Sequence, residues 1–144
     1  MKTVLTISLL VLALVCVSPS VRAQSTAKTG PDASTVRDPE MEKDSLHNLE
    51  VARQYFKLKK AYVASLTRCE EIIAGNPTFS RIDEVLYIAG ASSLRLAQKQ
   101  GKQASKTPPD KLRDDGREYL SRLAKEFPES EFRGLAEKEL RTIK

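Results

Sequence analysis

His47 is the only histidine among 144 residues, so no imidazole pair is present for a metal or a proton relay. No His, Cys and carboxylate side chains fall at the spacing of a zinc site. No glycine-rich loop follows a strand pattern, and no nucleophile motif occurs. Glu70-Glu71 and Asp114-Asp115 are adjacent pairs of the kind an acid–base site draws on. Neighbours on a helix point about 100° apart, so each pair diverges and reads as solvated side chains. Cys69 lies between Leu66 and Ile72 on an apolar stripe and is expected to be a small core residue. These residues predict no catalytic group, metal or cofactor, and the chemistry left to the chain is recognition.

The charge pattern narrows the partner. The formal charge is +5, from 24 Lys and Arg against 19 Asp and Glu, with both signs interspersed. No basic block is interleaved with aromatics, so nucleic acid is not expected. Lys57-Leu58-Lys59-Lys60 reads as the solvated end of a helix, with contact to acidic lipid as the sharper alternative.

Helices must position any such surface. Charged residues make up 30% and aromatics 6%, with no Trp, a composition suited to an all-α protein. The organising stretch is residues 76–98. Ile82, Val85, Leu86, Ala89 and Leu96 repeat at helical spacing, and Ile88, Ala91 and Leu94 form a second row. A helix apolar on two sides is one that others pack around. Ser80 is expected to cap it, with Asp83 in its first turn. Gly90, at its middle, costs about 1 kcal/mol against Ala. A close helix crossing would offset that cost, and there Gly90→Ala should be tolerated and Gly90→Leu should not.

Four further helices surround this one. Asp38-Pro39-Glu40 is a strong start signal for a helix with Met41, Leu46, Leu49, Ala52 and Phe56 on one face, ending near Lys59. Tyr62, Leu66, Cys69, Ile72 and Ile73 mark the second, with Gly75 as its C′ residue and Pro77 beyond. After a polar loop at 101–109, Thr107 is expected to cap a helix with Leu112, Gly116, Leu120, Leu123 and Phe127 on its face, Tyr119 alongside and Pro128 as its stop. Ser130 can cap the last, with Phe132, Leu135, Ala136, Leu140 and Ile143 inward.

The first residues have a different character. Lys2 precedes an apolar run at 4–17, shorter than the ~20 residues a spanning helix needs. Val21-Arg22-Ala23 then offers a small-residue cleavage site. The expectation is a signal peptide at 1–23, cut between Ala23 and Gln24, then a disordered tether at 24–37 and a helical domain at 38–144. An uncleaved anchor and a lipoprotein acylated at Cys16 are the competing readings. Val15 is too large for the residue before a lipidated cysteine.

The ends of the second and fourth helices match: each is amphipathic and closed by a Pro at the same phase. This pattern resembles tetratricopeptide repeats. The repeat wants a small residue twelve before its Pro, here Ser65 and Gly116, and a large apolar one eight before, here Cys69 and Leu120. Gly90 fits the small position of a first helix, whereas Arg53 does not and marks the first pair as degenerate. Pro77 and Pro128 lie 51 residues apart, against ~34 for the repeat. The implied fold is a short tetratricopeptide-like array, two helix pairs plus a capping helix. Asn76-Pro77-Thr78, Ile82-Asp83, Val85-Leu86-Tyr87 and Gly90 resemble the middle of the BamD family, and the following loop with Gly116 through Phe127-Pro128-Glu129-Ser130 is similar to its next part. Its members are tetratricopeptide subunits of the outer-membrane β-barrel assembly machinery. The likeness covers about residues 46–143. Members carry about five repeats and a lipid anchor, neither of which this chain matches.

The resemblance implies a periplasmic, protein-binding adaptor in outer-membrane protein assembly, with a coordinator of cell-wall synthesis or division as the alternative. Its partner would be an envelope protein or an extended polypeptide segment, through which the chain could associate with the outer membrane. Projecting the repeat phase places His47, Glu50, Gln54 and Lys57 of one helix, and Glu84, Tyr87, Ala91 and Arg95 of another, on a concave binding face. Tyr87 would be its one aromatic anchor. Lys125 and Lys138 would fall on the opposite side.

Overall fold

The computed structural model describes residues 37–143. The signal peptide expected at 1–23 and all of the tether but Arg37 lie outside the described residues. That arginine is exposed, and its Nε donates to the Thr78 carbonyl at 2.9 Å.

Asp38 opens the first helix, α1 (Pro39–Arg53). Its carboxylate accepts the Glu40 and Met41 N–H groups at 2.9 and 3.4 Å, Pro39 needs no partner, and Glu40 and Glu42 sit in the first turn. These are the features that stabilise a helix N-terminus. The helix then widens into a π-helical segment, Gln54–Lys59, and Lys60 ends it in the left-handed region at φ 49°. Then follow α2 (Tyr62–Gly75), α3 (Ile82–Ala97), α4 (Pro109–Glu126) and α5 (Arg133–Leu140). The described residues are all helix and connection, an all-α fold with five α-helices among them.

α3 is the centre. It packs against α2 on one side and α4 on the other, with α1 and α5 beside them. Both apolar rows are therefore covered: Ile82, Val85, Leu86, Ile88, Ala89, Ala91, Leu94 and Leu96 are all buried. Leu49 and Ala52 of α1, Cys69 and Ile72 of α2, Leu120 and Leu123 of α4 and Ala136 of α5 complete the core. Small residues sit where helices meet. Ser65 is buried, and its hydroxyl donates to the Ala52 carbonyl at 3.0 Å. Gly90 and Gly116 face each other across α3 and α4: a Cβ on either would lie 3.2 Å from the other's carbonyl oxygen.

Several end signals are used differently from expectation. Gly75 is the last helical residue of α2, and Asn76 is the cap, with φ −141°. The residue before a proline is pushed out of the helical region, so the chain leaves through Asn76 and needs no left-handed glycine. Asn76 is buried, and its amide donates to the Ser45 hydroxyl at 3.1 Å. Ser80 does not cap α3. A tight turn, with the Ile82 N–H donating to the Phe79 carbonyl, makes Arg81 the cap. The Ser80 N–H is taken by the Glu42 carboxylate instead. Thr107 does not cap α4, whose cap position is Pro108. Ser130 is nearer to expectation: its oxygen accepts the Phe132 N–H at 3.1 Å, one turn before α5 begins. On the helix faces, Met41, Leu46 and Leu135 are exposed, and Ser45 occupies the buried position on α1 beside them.

Three protons, one buried on Cys69 and two half-buried on Tyr87 and Tyr119, are expected to make the fold alkali-sensitive. Burial, with Glu70 adding, pushes the Tyr119 phenol up to about 12. Burial also raises the Cys69 thiol, assisted by Glu70 and Glu84, and the Tyr87 phenol, assisted by Glu139. The folded state thus holds protons that the unfolded chain releases from about pH 9 to 10. That stability is complete below the unfolded values and is lost as pH rises through the folded ones. The melting temperature should be level from about pH 7 to 9 and fall steeply from about pH 10 to 12. Tyr119→Phe should flatten part of the fall. Equal thermal melts of the wild type at both ends of that range would show that these groups do not control alkaline stability.

Candidate protein-binding surface

The first helices of the expected pairs, α1 and α3, lie beside one another, and α5 follows on the far side of α3. Three kinds of joint hold them. Between α1 and α3, the Arg53 guanidinium meets Glu84 through two hydrogen bonds of 2.6 Å each. Arg81 approaches the same carboxylate at 3.0 Å, and Glu50 approaches Arg53 at 2.9 Å. Hydrogen bonding to Glu84 raises Arg53 further above its ordinary value, so the cation persists at any pH at which the domain is folded. In the middle, the Tyr87 ring lies edge-on to Phe56 at 6.5 Å and stacks on Phe132 of the turn before α5 at 5.6 Å. Between α3 and α5, Arg95 makes two hydrogen bonds to Glu139, at 2.6 and 3.1 Å. Ser130 donates to Asp83 at 2.6 Å.

These joints re-sort the expected binding residues. His47, Glu50, Gln54 and Lys57 are exposed on α1 and its π-helical extension. Glu84 is not on an open face: it is 4% exposed, turned into the α1–α3 joint. Ala91 is fully buried. Both corrections have one cause: helices cover α3 on several sides, so its open strip is narrower than the repeat phase projects. Tyr87 is half-buried between two rings, and Arg95 is neutralised by Glu139, so each serves first as a joint.

Beside them runs an open groove of about 430 Å³, where Tyr87 and Arg95 meet Gln98, Leu135, Lys138 and Glu139. Lys138 therefore lies on the same side as Tyr87 and Arg95, not opposite them. Leu135, expected to point inward, is 46% exposed and supplies an apolar wall. The groove offers an aromatic edge, an aliphatic wall, one ammonium outside the ion pairs and a neutralised ion pair. That set can hold an extended peptide by apolar contact and hydrogen bonds. Among the described residues, no group of three or more His, Cys, Asp or Glu converges as a metal site.

Sequence reasoning missed the Arg53–Glu84 joint. The signal was present: one charge of each sign stands within the apolar stripes of two adjacent helices, Arg53 after Leu49 and Ala52, and Glu84 between Ile82 and Val85. Comparison with family models, with curated proteins and with solved structures finds no match.

Proposed function

We propose that this chain is a non-catalytic, protein-binding adaptor, exported to the periplasm by its first 23 residues and acting in outer-membrane protein assembly. The groove beside α5 carries this reading, because it combines exposed Leu135 with the edge of Tyr87 and the Lys138 charge. Interface anchors are commonly aromatic side chains or arginines, surrounded by contacts that exclude water. Paired helices with a groove along their first members also suit the tetratricopeptide mode, in which an extended segment lies along the array. The resemblance of residues 46–143 to the BamD family supports the assembly role, and the apolar run at 4–17 with Val21-Arg22-Ala23 supports export.

Photo-crosslinking in the native cell tests the reading. A benzophenone side chain at Leu135 should capture an envelope protein, and the same probe at Lys125 on α4 should not. Leu135→Asp with Lys138→Glu should weaken binding of the captured partner about tenfold or more, without loss of helical circular dichroism. Capture from residue 125 but not from 135 would move the partner to another face. Native protein beginning at Gln24 would establish the cleavage; an acylated Cys16 would make the chain membrane-anchored.

A further inference from the structure

The arginines and lysines of this domain are used differently. Nine of the ten ion pairs among the described residues contain an arginine, and only Lys111 contributes a lysine. Lys57, Lys59, Lys60, Lys99 and Lys102 are in none of them, and all are exposed. They come from two stretches, 51–69 and 85–109, that contain no Asp or Glu. Those stretches reach the same place in the fold. The Lys102 N–H donates to the Lys60 carbonyl at 3.2 Å. Gly101, at φ +100°, lies so close that a Cβ would sit 2.7 Å from the Tyr62 ring and 2.9 Å from the Lys60 oxygen. The turn after α1 and the loop after α3 thus lie side by side, each carrying exposed lysines.

At the tip of the turn after α1 stands Leu58, 80% exposed and flanked by Lys57 and Lys59. Among the described residues, the other exposed large apolar side chains, Met41, Leu46 and Leu135, reach only 41–47%. The backbone adds a second observation. Lys60 and Lys99 both adopt positive φ, 49° and 57°, at the ends of their helices. Glycine takes that conformation without the Cβ penalty and is the usual residue there. Helix C-termini welcome cations, which accounts for charge near Lys60 and Lys99. It does not account for the leucine between them, or for Lys102 further along the loop.

We propose that the apposed turns at 57–60 and 99–102 dock the domain onto an anionic lipid bilayer, with Leu58 entering the interface and the lysines engaging lipid phosphates. Lysine can lay its aliphatic stem beside an inserted leucine while its ammonium stays at headgroup level. An exposed apolar tip flanked in sequence by lysines, beside a second lysine-bearing turn, favours a bilayer over a nucleic acid, which would draw on arginine forks and open aromatic faces. Here the Tyr55 ring lies under Lys59, and Tyr62 is packed against Gly101 and Phe56. This inference does not depend on the groove beside α5.

The chain has no tryptophan, so Leu58→Trp in the full-length protein is a single reporter at the tip. The apolar run at 4–17 could itself hold the chain on a vesicle, and a reporter at residue 58 reads the tip alone. With phosphatidylcholine vesicles containing about one-third phosphatidylglycerol, its emission should shift to the blue and be quenched by brominated acyl chains. Pure phosphatidylcholine should leave it unchanged, and added salt should reverse the shift. Leu46→Trp, some 18 Å away along the helix, should not respond. Lys57→Gln, Lys59→Gln and Lys102→Gln should each weaken binding about fivefold. Lys60→Gly and Lys99→Gly should weaken it similarly while leaving the melting temperature level or higher, which a purely structural role for these lysines would not produce. An equal shift on neutral vesicles, no shift on acidic ones, or an equal response at residue 46 would each overturn the proposal. So would acidic-vesicle binding that needs the lysines but is unchanged by Leu58→Ser, since the surface would then be a simple polyanion site.

Discussion

Gly90→Leu is expected to cost at least about 4 kcal/mol, most of the stability of a small domain, and Gly90→Ala is expected to cost about 1–2 kcal/mol net. A Cβ at residue 90 would lie 2.6 Å from Leu120 Cγ and 2.8 Å from its Cδ2, with the Gly116 carbonyl at 3.2 Å. Leu120 is fully buried, so its branch point cannot swing into solvent. The opposite contact is nearly as tight, since a Cβ on Gly116 would meet Leu94 Cδ2 at 2.9 Å. Even one methyl must therefore push α3 and α4 apart or force Leu120 off its rotamer, at about 2–3 kcal/mol, the upper part of the overpacking range. The gain in helix propensity, about 1 kcal/mol, offsets only part of this. The structure thus reverses the expectation that alanine is tolerated here. Urea unfolding followed by circular dichroism measures both variants, and a double-mutant cycle assigns the cause. Leu120→Ala alone should cost about 2–5 kcal/mol. Combined with Gly90→Ala, the total should fall short of the sum by about 1 kcal/mol or more, because the new methyl fills the vacated space. Additive costs, or a Gly90→Ala protein as stable as the wild type, would show that the two helices are free to separate.

The same crossing shows what the sequence made legible. Periodicity alone identified α3 as the helix others pack around, because two apolar rows demand two neighbours. The small residues at 65, 90 and 116 marked where backbones approach, and Pro39, Pro77 and Pro128 marked ends, because a missing N–H acts the same in any context. Caps were less legible. Ser80 and Thr107 have capping side chains, but the chain enters α3 by a tight turn and α4 through Pro108, and backbone geometry decides which residue stands at the cap. The binding face was least legible. Repeat phase says which way Glu84, Tyr87, Ala91 and Arg95 point, but not what lies there. α5 brings Phe132 and Glu139 against two of them, the α1–α3 joint takes Glu84, and Ala91 is buried. Lys57-Leu58-Lys59-Lys60 looked like a solvated helix end because its counterpart at 99–102 is some forty residues away, and the two meet only in the fold, where Gly101 and Lys102 close on the Lys60 carbonyl.

Arg53→Met should destabilise the domain by about 3 kcal/mol, more than Glu84→Gln does. Breaking a buried ion pair from one side costs about 3–5 kcal/mol, mostly from the charge left behind. Methionine retains the packing of the arginine stem, so the variant isolates the loss of charge. The Glu84 side chain is only 5% exposed, and after the substitution it keeps Arg81 alone, a partner that is itself 45% exposed. The effect should therefore fall at the lower end of that range. Removing the other charge is milder, because Arg53 is 19% exposed and still has Glu50 at 2.9 Å. Glu84→Gln should cost about 1–2 kcal/mol. Replacing both by methionine should recover most of the loss, since an apolar pair of similar volume leaves no buried charge unmatched. Urea unfolding of the three variants measures that order. If Arg53→Met unfolds like the wild type, the joint between α1 and α3 rests on the Phe56–Tyr87 contact, and Arg53 is the repeat defect that the sequence pattern suggested. If the double substitution recovers stability as expected, the ion pair contributes little net stability, and its role is to fix how α1 sits against α3. The groove beside α5 then inherits its shape through Tyr87, which touches both sides.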